Sequence, residues 1–467
     1  MDTLPDDVLL EIFDSYMDEY LLGYYKIERE RAWRLLVHVC RRWRSLVFGS
    51  PGHLDLQLVC TGRTPTRDRL DVWPTLPLNI KVRHYEPIIS MDNIFAALER
   101  RDRVCQIDVD ASSSNLEMIL SAMQQPFPEL TSLCLHSYDR TVAVISDSFL
   151  GGFAPRLKEL ELGRILFPGL QKLLSDTHLR HLHLYNIPHS GYISPNAIVT
   201  ILSALTGLKT LSLGFESPRS CPDRATRHSP PSTRSVLPVL KLFRFKGVTE
   251  YLEDFVALID TPRLNQTHIK VFNDVEFDTP QFTQFISRSP ISRPLEKAHI
   301  YFYDEAVSVT FLSQTSGHGE LSVEILCRGS GWQVSSVEQI CTSCLTSLYM
   351  LEDLYIYERP GGQLEWKGKI ENEPWIELLH PFTAVRNLYL CEEVARRIAP
   401  ALQELVGDRI TELLPILENI FLERFESLGS VEEGIGRFIS AREVAGIPIT
   451  ISPWDGSEKI TWYYYFG

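Results

Sequence analysis

A leucine pattern of the form L-x-x-L-x-L recurs along the chain and limits its fold more than any other feature. Four clean copies are LTSLCL from Leu130, LKELEL from Leu157, LRHLHL from Leu179 and LKTLSL from Leu208. Successive side chains of a strand point to opposite faces, so the leucines share one face and positions three, five and seven share the other. The pattern therefore predicts strands with one buried face and one outward face.

Looser copies extend the pattern in both directions. They begin at Leu240, Leu264, Leu295, Leu351, Val385 and Leu417, with an upstream copy at Val104 and a degenerate one at Glu320. From Leu130 onward the starts are 27, 22, 29, 32, 24, 31, 25, 31, 34 and 32 residues apart, which leaves room for one strand and one returning helix per unit. Candidate helices lie between the copies; SSSNLEMILSAMQQ has Ser114 and Glu117 at capping-box spacing. The predicted fold class is α/β, an irregular leucine-rich-repeat solenoid or horseshoe with parallel strands.

Composition and charge narrow the classes of partner. The 467 residues include 46 Lys and Arg against 60 Asp and Glu, a net charge of −14, which disfavours binding to nucleic acid or to anionic membrane surfaces. Nine cysteines at irregular intervals indicate reduced thiols rather than a disulfide framework. With neither a signal-peptide pattern nor a long apolar span, we expect a cytoplasmic or nuclear protein that binds other proteins.

Two apolar segments precede the repeats, LPDDVLLEIF from Leu4 and LVHVCRRWRSLV from Leu36. They predict helices over residues 4–16 and 31–48. Pro5 suits a first helical turn, and Val8, Leu9, Ile12 and Phe13 predict an apolar stripe. Helices this short carry more large apolar groups than they can bury among themselves, so part of the stripe is expected to cover a partner.

These two segments resemble the F-box, the helical motif that docks on the Skp adaptor of Skp-cullin-F-box ubiquitin ligases. An F-box followed by leucine-rich repeats resembles the fungal-type members of that family. The resemblance implies adaptor contacts, and a cullin reached through the adaptor, from these residues: Leu4, Pro5, Val8, Leu9, Ile12, Phe13, Val39, Cys40, Trp43, Arg44 and Leu46. The interval between Phe13 and Val39 is longer than is usual in the family and predicts an extra turn or a longer second helix.

The predicted domain organisation has three parts. Residues 1–58 form the F-box-like helical domain, residues 59–425 the repeat solenoid, and residues 426–467 a C-terminal cap and tail. The stretch 217–235, SPRSCPDRATRHSPPSTRS, is rich in serine, proline and arginine and predicts a disordered loop between two repeats.

Outward positions of the repeats predict a second binding surface, for the target protein. Its candidate residues are His181, His183, Tyr185, Arg244, Lys246, His268, Lys270, Lys297, His299, Tyr301, Tyr355, Tyr357, Tyr389 and Phe421. Aromatic side chains and arginine are enriched where protein interfaces carry most of their energy. The lysines and Arg244 form a basic band that favours an acidic or phosphorylated target.

Motifs for catalysis, metal or cofactor binding are weak. Cys341 and Cys344 form an isolated C-x-x-C without a second ligand pair, and His178, His181 and His183 lack a suitable partner nearby in sequence. We therefore expect a non-catalytic substrate receptor that needs no metal and no cofactor. Two alternatives stay open: a repeat scaffold outside any ligase, whose residues 4–50 only shield the first repeat, and an enzyme with an unrecognised site.

Overall fold

The computed structural model describes the chain in segments that together hold its helices and strands. The described residues are 4–19, 27–63, 65–85, 90–175, 177–220, 234–272, 279–292, 295–313, 319–327, 330–344, 348–358, 372–405, 407–423 and 429–456. They form two compact units, Met1–Leu182 and His183–Gly467. None of the helices in these segments is both long and apolar enough to cross a membrane.

Unit 1 begins with three helices and continues with alternating strands and helices. Its elements are α1 Asp6–Glu19, α2 Ile27–Val39, α3 Arg41–Gly49, β1 Leu58–Thr61, α4 Thr66–Val72, β2 Leu78–Val82, α5 Met91–Leu98, β3 Val104–Ala111, α6 Ser113–Ala122, β4 Ser132–Ser137, β5 Ala143–Val144, β6 Glu159–Gly163, β7 Ile165–Leu166 and α7 Leu170–Leu174. Strands β1, β2, β3, β4 and β6 pair in that order, all parallel. Strands β5 and β7 form a separate parallel pair.

The helix predicted over residues 31–48 is two helices, because the backbone leaves the helical conformation at Cys40. Cys40 is extended, with φ −156°, and its Sγ accepts a hydrogen bond from the Trp43 backbone N–H at 3.4 Å. A side chain that satisfies a free N–H at a helix start caps the new helix. The chain therefore turns between α2 and α3.

Helix α6 starts slightly earlier than the capping-box pattern indicated. Ser112 is the N-cap, and its Oγ accepts from the Asn115 N–H at 3.4 Å. Asp139 accepts from the Ser113 N–H at 2.9 Å and from the Ser113 hydroxyl at 3.1 Å. Two separate acceptors thus satisfy the first turn, and the predicted Ser114 and Glu117 pair is not the cap.

Unit 2 continues the alternation of strands and helices. Strand β8 His181–Ile187 begins at the boundary and is followed by α8 Pro195–Ser203, β9 Thr210–Phe215, β10 Ser235–Val236, β11 Leu242–Gly247, α9 Thr249–Val256, β12 Ile259–Asp260, β13 Gln266–Phe272, α10 Pro280–Arg288, β14 Lys297–Phe302, β15 Ala306–Leu312, β16 Glu320–Leu326, α11 Ser330–Cys344, β17 Asp353–Glu358, α12 Asn372–Leu379, β18 Asn387–Leu390, α13 Glu392–Gln403, β19 Asn419–Glu423, α14 Gly429–Val444 and β20 Thr450–Trp454.

The order of strands in unit 2 departs from the parallel succession that the repeats predicted. Strands β9, β11, β13 and β16 are parallel, and so are β14, β17, β18, β19 and β20. Strand β15 lies between β14 and β16 and is antiparallel to both. Only residues 303–305 join β14 to β15, and 313–319 join β15 to β16. A parallel crossover needs a dozen or more residues, so these connections permit only hairpins.

The repeat leucines form the buried side of the strands, as the pattern predicted. The paired leucines of β4, β6, β8 and β9 are each at most 4% exposed: Leu133, Leu135, Leu160, Leu162, Leu182, Leu184, Leu211 and Leu213. Phe243 and Phe245 take the same positions in β11 and are fully buried. The alternation in sequence thus corresponds to the alternation of faces.

Two further predictions concern the C-terminal cap and tail, residues 426–467, and the loop at residues 217–235. Residues 426–467 contain α14 and β20, and β20 pairs parallel with β19, so the strand order continues beyond the predicted end of the repeats at 425. The aromatic tail from Ile460 and most of the predicted loop, residues 221–233, lie outside the described residues. At the loop's far end, β10 pairs with β12.

A first prediction concerns the interior of the N-terminal helices. Phe13 is 1% exposed and its ring lies 4.7 Å from that of Trp43, whereas the adjacent Ile12 is 47% exposed. We expect Phe13→Ala to lower the free energy of unfolding of unit 1 by about 3–5 kcal/mol, because it leaves a cavity. Ile12→Ala, the control, should change it by less than about 1 kcal/mol. Urea titration measures both, and equal losses would contradict this packing.

Candidate protein-binding surfaces

The N-terminal helices pack on one another and on the first strand of unit 1. Leu9, Phe13 and Met17 are at most 2% exposed and form the inner side of α1. Trp33 of α2 is buried, its ring lies 5.3 Å from that of Trp73, and its Nε1 donates to the Gln57 carbonyl at 3.2 Å. The helices are therefore continuous with the strand layer of unit 1.

A second stripe of apolar side chains on the same helices faces outward. Leu4, Val8 and Ile12 are 38%, 40% and 47% exposed, and Leu35 and Val39 on α2 are 50% and 57% exposed. Val8 and Ile12 on α1, and Leu35 and Val39 on α2, are four residues apart, so each pair lies on one side of its helix. Leu4 lies two residues before α1. We call these five residues the outer stripe.

Arg42 brings the two parts of the outer stripe to the same end of the helices. Its guanidinium donates to the Leu4 carbonyl at 2.5 Å and to the Asp6 carboxylate at 2.6 Å. Since Val39 is only three residues before Arg42, the junction of α2 and α3 lies beside the start of α1. The outer stripe therefore begins where the F-box resemblance located the adaptor contacts.

The eleven predicted adaptor residues divide into three groups. Seven are exposed: Leu4, Pro5, Val8, Ile12, Val39, Cys40 and Arg44. Trp43 and Leu46 are half-buried, and the Arg44 Nε donates to the Val37 carbonyl at 2.9 Å. Leu9 and Phe13 are buried in the chain's own interior, so the assignment of these two to an adaptor contact is corrected. Leu35, which the motif did not include, joins the exposed set through its spacing from Val39.

In unit 2, four aromatic rings stack across four neighbouring strands. His299, Tyr355, Tyr389 and Phe421 are partners in register on β14, β17, β18 and β19. Successive ring centroids are 4.3, 4.1 and 4.5 Å apart, with interplanar angles of 4°, 10° and 8°. Parallel strands lie about 4.8 Å apart, so flat rings at matched positions reach stacking distance. We call these four residues the ring ladder.

A row of polar side chains runs beside the ring ladder. The Asn387 amide donates to Asp353 Oδ1 at 2.7 Å, and the Asn419 amide donates to Asn387 Oδ1 at 2.8 Å. Lys297 Nζ lies 3.8 Å from Asp353 Oδ2, and the Thr450 hydroxyl donates to Asn419. Amides at equivalent positions of parallel strands can bond continuously along the sheet. This row holds the strand face rigid next to the rings.

Trp454 of β20 covers part of the ring ladder. Its ring lies 5.8 Å from Tyr355, 6.2 Å from Tyr357 and 5.6 Å from Tyr389. Tyr355 and Tyr357 are consequently at most 1% exposed, while Tyr389 and Phe421 remain half-buried. A partner can reach the ladder at its Tyr389 and Phe421 end.

The predicted target-binding residues lie on the expected side of their strands, but four of them are covered. Half-buried members are His181, which belongs to unit 1, and His183, Tyr185, Arg244, Lys246, Lys270, Lys297, Tyr301, Tyr389 and Phe421 in unit 2. His268, His299, Tyr355 and Tyr357 are buried, so their assignment as direct contact residues is corrected. Rings on adjacent strands cover one another, which a strand considered alone does not show.

Two lysines of the predicted basic band of unit 2 are paired with carboxylates. Lys270 Nζ lies 2.6 Å from Glu324 Oε1, and Lys297 pairs with Asp353. Strand β16, which carries Glu320 and Glu324, pairs with β13 because of the hairpins that place β15 beside it. The preference for an acidic or phosphorylated target therefore loses its physical basis at these lysines.

His268 is buried beside a carboxylate on this face. Burial lowers the pKa of His268 to about 4, and Arg244 adds to the shift. Glu320 Oε1 lies 3.8 Å from His268 Nδ1, and burial raises the pKa of that carboxyl. Desolvation thus favours the neutral forms of both groups.

A second prediction follows from the neutral state of His268. In the unfolded chain a histidine has a pKa of about 6.5, whereas His268 in the folded chain has a pKa of about 4. Between pH 6.5 and pH 4 the unfolded state therefore binds more protons than the folded state, and acid favours unfolding. When the pH falls from 7 to 5, we expect the free energy of unfolding of wild type to drop by about 1–2 kcal/mol more than that of His268→Gln. Glu320 shifts stability in the opposite sense but is present in both proteins. Urea unfolding at the two pH values measures the difference, and equal losses would contradict the prediction.

Sulfur and imidazole ligands for a metal come together in unit 1 rather than at the C-x-x-C. Cys341 is fully buried, and the surroundings of Cys344 lie outside the described side chains. Cys134, His136 and Glu161 instead offer one ligand atom each, all within 4.8 Å of one another. In sequence, Glu161 is far from the other two, so spacing gave no signal.

Comparison with known proteins gives structural neighbours at low similarity. No protein-family model and no curated protein matches this sequence. The leucine-rich repeat-containing protein LegL7 from Legionella pneumophila is 13% identical, with a TM-score of 0.29, and the match covers 85% of this chain and 99% of that one. The structure of the yeast Rad7 and Elc1 complex gives 13% identity and a TM-score of 0.26, with 90% and 88% coverage.

Proposed function

We propose that this chain is the substrate-recognition subunit of a Skp-cullin-F-box type ubiquitin ligase. The N-terminal helices bind the Skp adaptor, through which a cullin is reached, and the outward strand face of unit 2 binds a target protein. The observation that carries the proposal is the outer stripe, five large apolar side chains left between 38% and 57% exposed, four of them on α1 and α2 and Leu4 just before α1. Such grouped exposure marks a surface that a second protein covers.

The outer stripe supplies part of the binding free energy. Covering a half-exposed valine, leucine or isoleucine gains about 1 kcal/mol, so five residues contribute about 5 kcal/mol. A micromolar complex requires about 8 kcal/mol after the cost of association is met. Pro5, Cys40, Trp43 and Leu46, which border the stripe, supply further contact area in this proposal.

The strand face of unit 2 contributes recognition rather than chemistry. Stacked rings flanked by hydrogen-bonded amides form a pre-organised platform, and a rigid aromatic surface loses little conformational entropy when a partner binds. The function is to hold a target near a conjugating enzyme carried by other subunits, which raises their effective concentration. No residue of this chain acts as a catalyst in this mechanism.

A repeat scaffold outside any ligase is the second candidate. The burial of Leu9, Phe13 and Met17 favours it, because α1 then serves as a cover for the chain's own interior. Under that function the outer stripe binds no adaptor. Direct binding measurements with the purified adaptor separate the two candidates.

A third prediction tests the adaptor contact. We expect Val8→Asp with Ile12→Asp to weaken binding of purified Skp adaptor to the full chain by at least tenfold, because two charges would be buried in an apolar interface. Isothermal titration calorimetry measures the affinity. Both side chains are exposed, so unfolding curves should stay unchanged.

The matched control is Val72→Asp with Met118→Asp, which alters two exposed apolar residues elsewhere on unit 1. This variant should bind the adaptor as wild type does. If wild type shows no adaptor binding, or if the α1 variant binds equally well, the ligase function is wrong and the scaffold is favoured.

A fourth prediction tests the target surface independently. We expect Tyr389→Ser with Phe421→Ser to lose bound target proteins while keeping the adaptor, because the accessible end of the ring ladder is removed. Quantitative affinity purification compares this variant with the α1 variant and with Ile416→Ser, an exposed residue outside the strands. Proteins retained by the α1 variant and by the Ile416 variant but lost from the ladder variant are targets. If the ladder variant binds the same proteins as wild type, the strand face of unit 2 does not bind the target.

A further inference from the structure

Two neighbouring strands of unit 1 place a thiol, an imidazole and a carboxylate around one point. Cys134 and His136 are two residues apart on β4, so they share a face, and Glu161 on β6 is the register partner of Cys134. His136 Nε2 lies 2.9 Å from Glu161 Oε1. One ligand atom from each of the three residues lies within 4.8 Å of the others.

Gly163 makes this arrangement possible. It is the register partner of His136 on β6, and a Cβ at this position would lie 2.7 Å from His136 Nδ1. Real Cβ atoms do not approach ring atoms so closely, so any larger residue would displace the imidazole. The absence of a side chain at 163 lets the His136 ring lean across β6 toward Glu161.

An ion pair lies beside the cluster on the neighbouring strand. Asp108 on β3 is the register partner of Cys134 on the other side and makes a bidentate ion pair with Arg83. Arg83 balances the charge of Asp108, so Glu161 supplies the carboxylate that attracts a cation to the cluster.

We propose that Cys134, His136 and Glu161 bind a divalent transition metal of the zinc class. A thiolate, an imidazole and a carboxylate together suit zinc, and a hard cation such as magnesium would not select sulfur. Tetrahedral zinc holds its ligand atoms about 3.3–3.7 Å apart, so the pair now 2.9 Å apart opens by about half an ångström. The metal takes the place of the proton between His136 and Glu161 and of the proton on the thiol.

Three protein ligands leave one coordination position for water or for a side chain of a bound protein. The His136 and Glu161 side chains are 33% and 27% exposed, so this position faces solvent on the outward side of the strands. Sites with three protein ligands are open in this sense, whereas closed structural sites use four. The site is independent of adaptor binding, because its residues lie outside the N-terminal helices.

A fifth prediction uses cobalt(II) as a spectroscopic probe on the full chain after treatment with a chelator. We expect one equivalent to bind with a thiolate-to-cobalt charge-transfer absorption, and zinc to displace it. Cys134→Ser should lose the absorption, and His136→Gln and Glu161→Gln should each weaken binding at least tenfold. Gly163→Ala should also weaken binding, because it moves the imidazole.

Controls separate this site from other thiols and from loss of structure. Cys105→Ser, on the neighbouring strand β3, and Cys40→Ser, an exposed thiol, should bind cobalt as wild type does. Circular dichroism without metal checks whether each variant is folded. His136→Gln changes a partly exposed residue and tests the site even if Cys134→Ser is unstable. Absence of saturable cobalt binding, or absorption that survives in Cys134→Ser, would reduce the cluster to a hydrogen-bonded pair beside a half-buried thiol.

Discussion

Parallel pairing in register is the interaction on which the rest of this structure depends. When strands align position for position, as β4 and β6 do through Leu133 and Leu160, each apolar residue stacks on its equivalent in the next strand. Neighbouring repeats thereby share a buried layer, although no single repeat could bury its apolar side alone. The helices between strands cover that layer, and the opposite face stays outward.

The same alignment builds the ring ladder, the amide row beside it and the cluster of Cys134, His136 and Glu161. His299, Tyr355, Tyr389 and Phe421 stack because they are equivalent residues of adjacent strands. Asn387 and Asn419 bond for the same reason. In unit 1, the pairing that opposes Cys134 to Glu161 also opposes His136 to Gly163, so ligands converge where a side chain is missing. Because the strands are in register, residues that are far apart in sequence form extended surfaces or compact clusters.

Helical geometry gives the N-terminal helices one buried apolar side and one exposed apolar side. Val8 and Leu9 are adjacent in sequence, but one residue corresponds to about 100° of rotation around the helix. Leu9, Phe13 and Met17 therefore face inward, while Val8 and Ile12 face outward. One helix can stabilise its own chain and still present an apolar surface to another protein.

The sequence by itself determined the local alternation: which residues form strands, which side of each strand is apolar, and that helices separate them. It indicated the outward residues of β8 and β11 correctly because period-two patterning depends only on backbone geometry. Only the tertiary structure decided which strands are neighbours. The antiparallel β15 brought Glu324 to Lys270, Trp454 covered Tyr355, and Glu161 met His136, all between residues distant along the chain. Periodicity is a property of one strand, whereas charge pairing, coverage and ligand convergence are properties of adjacent strands.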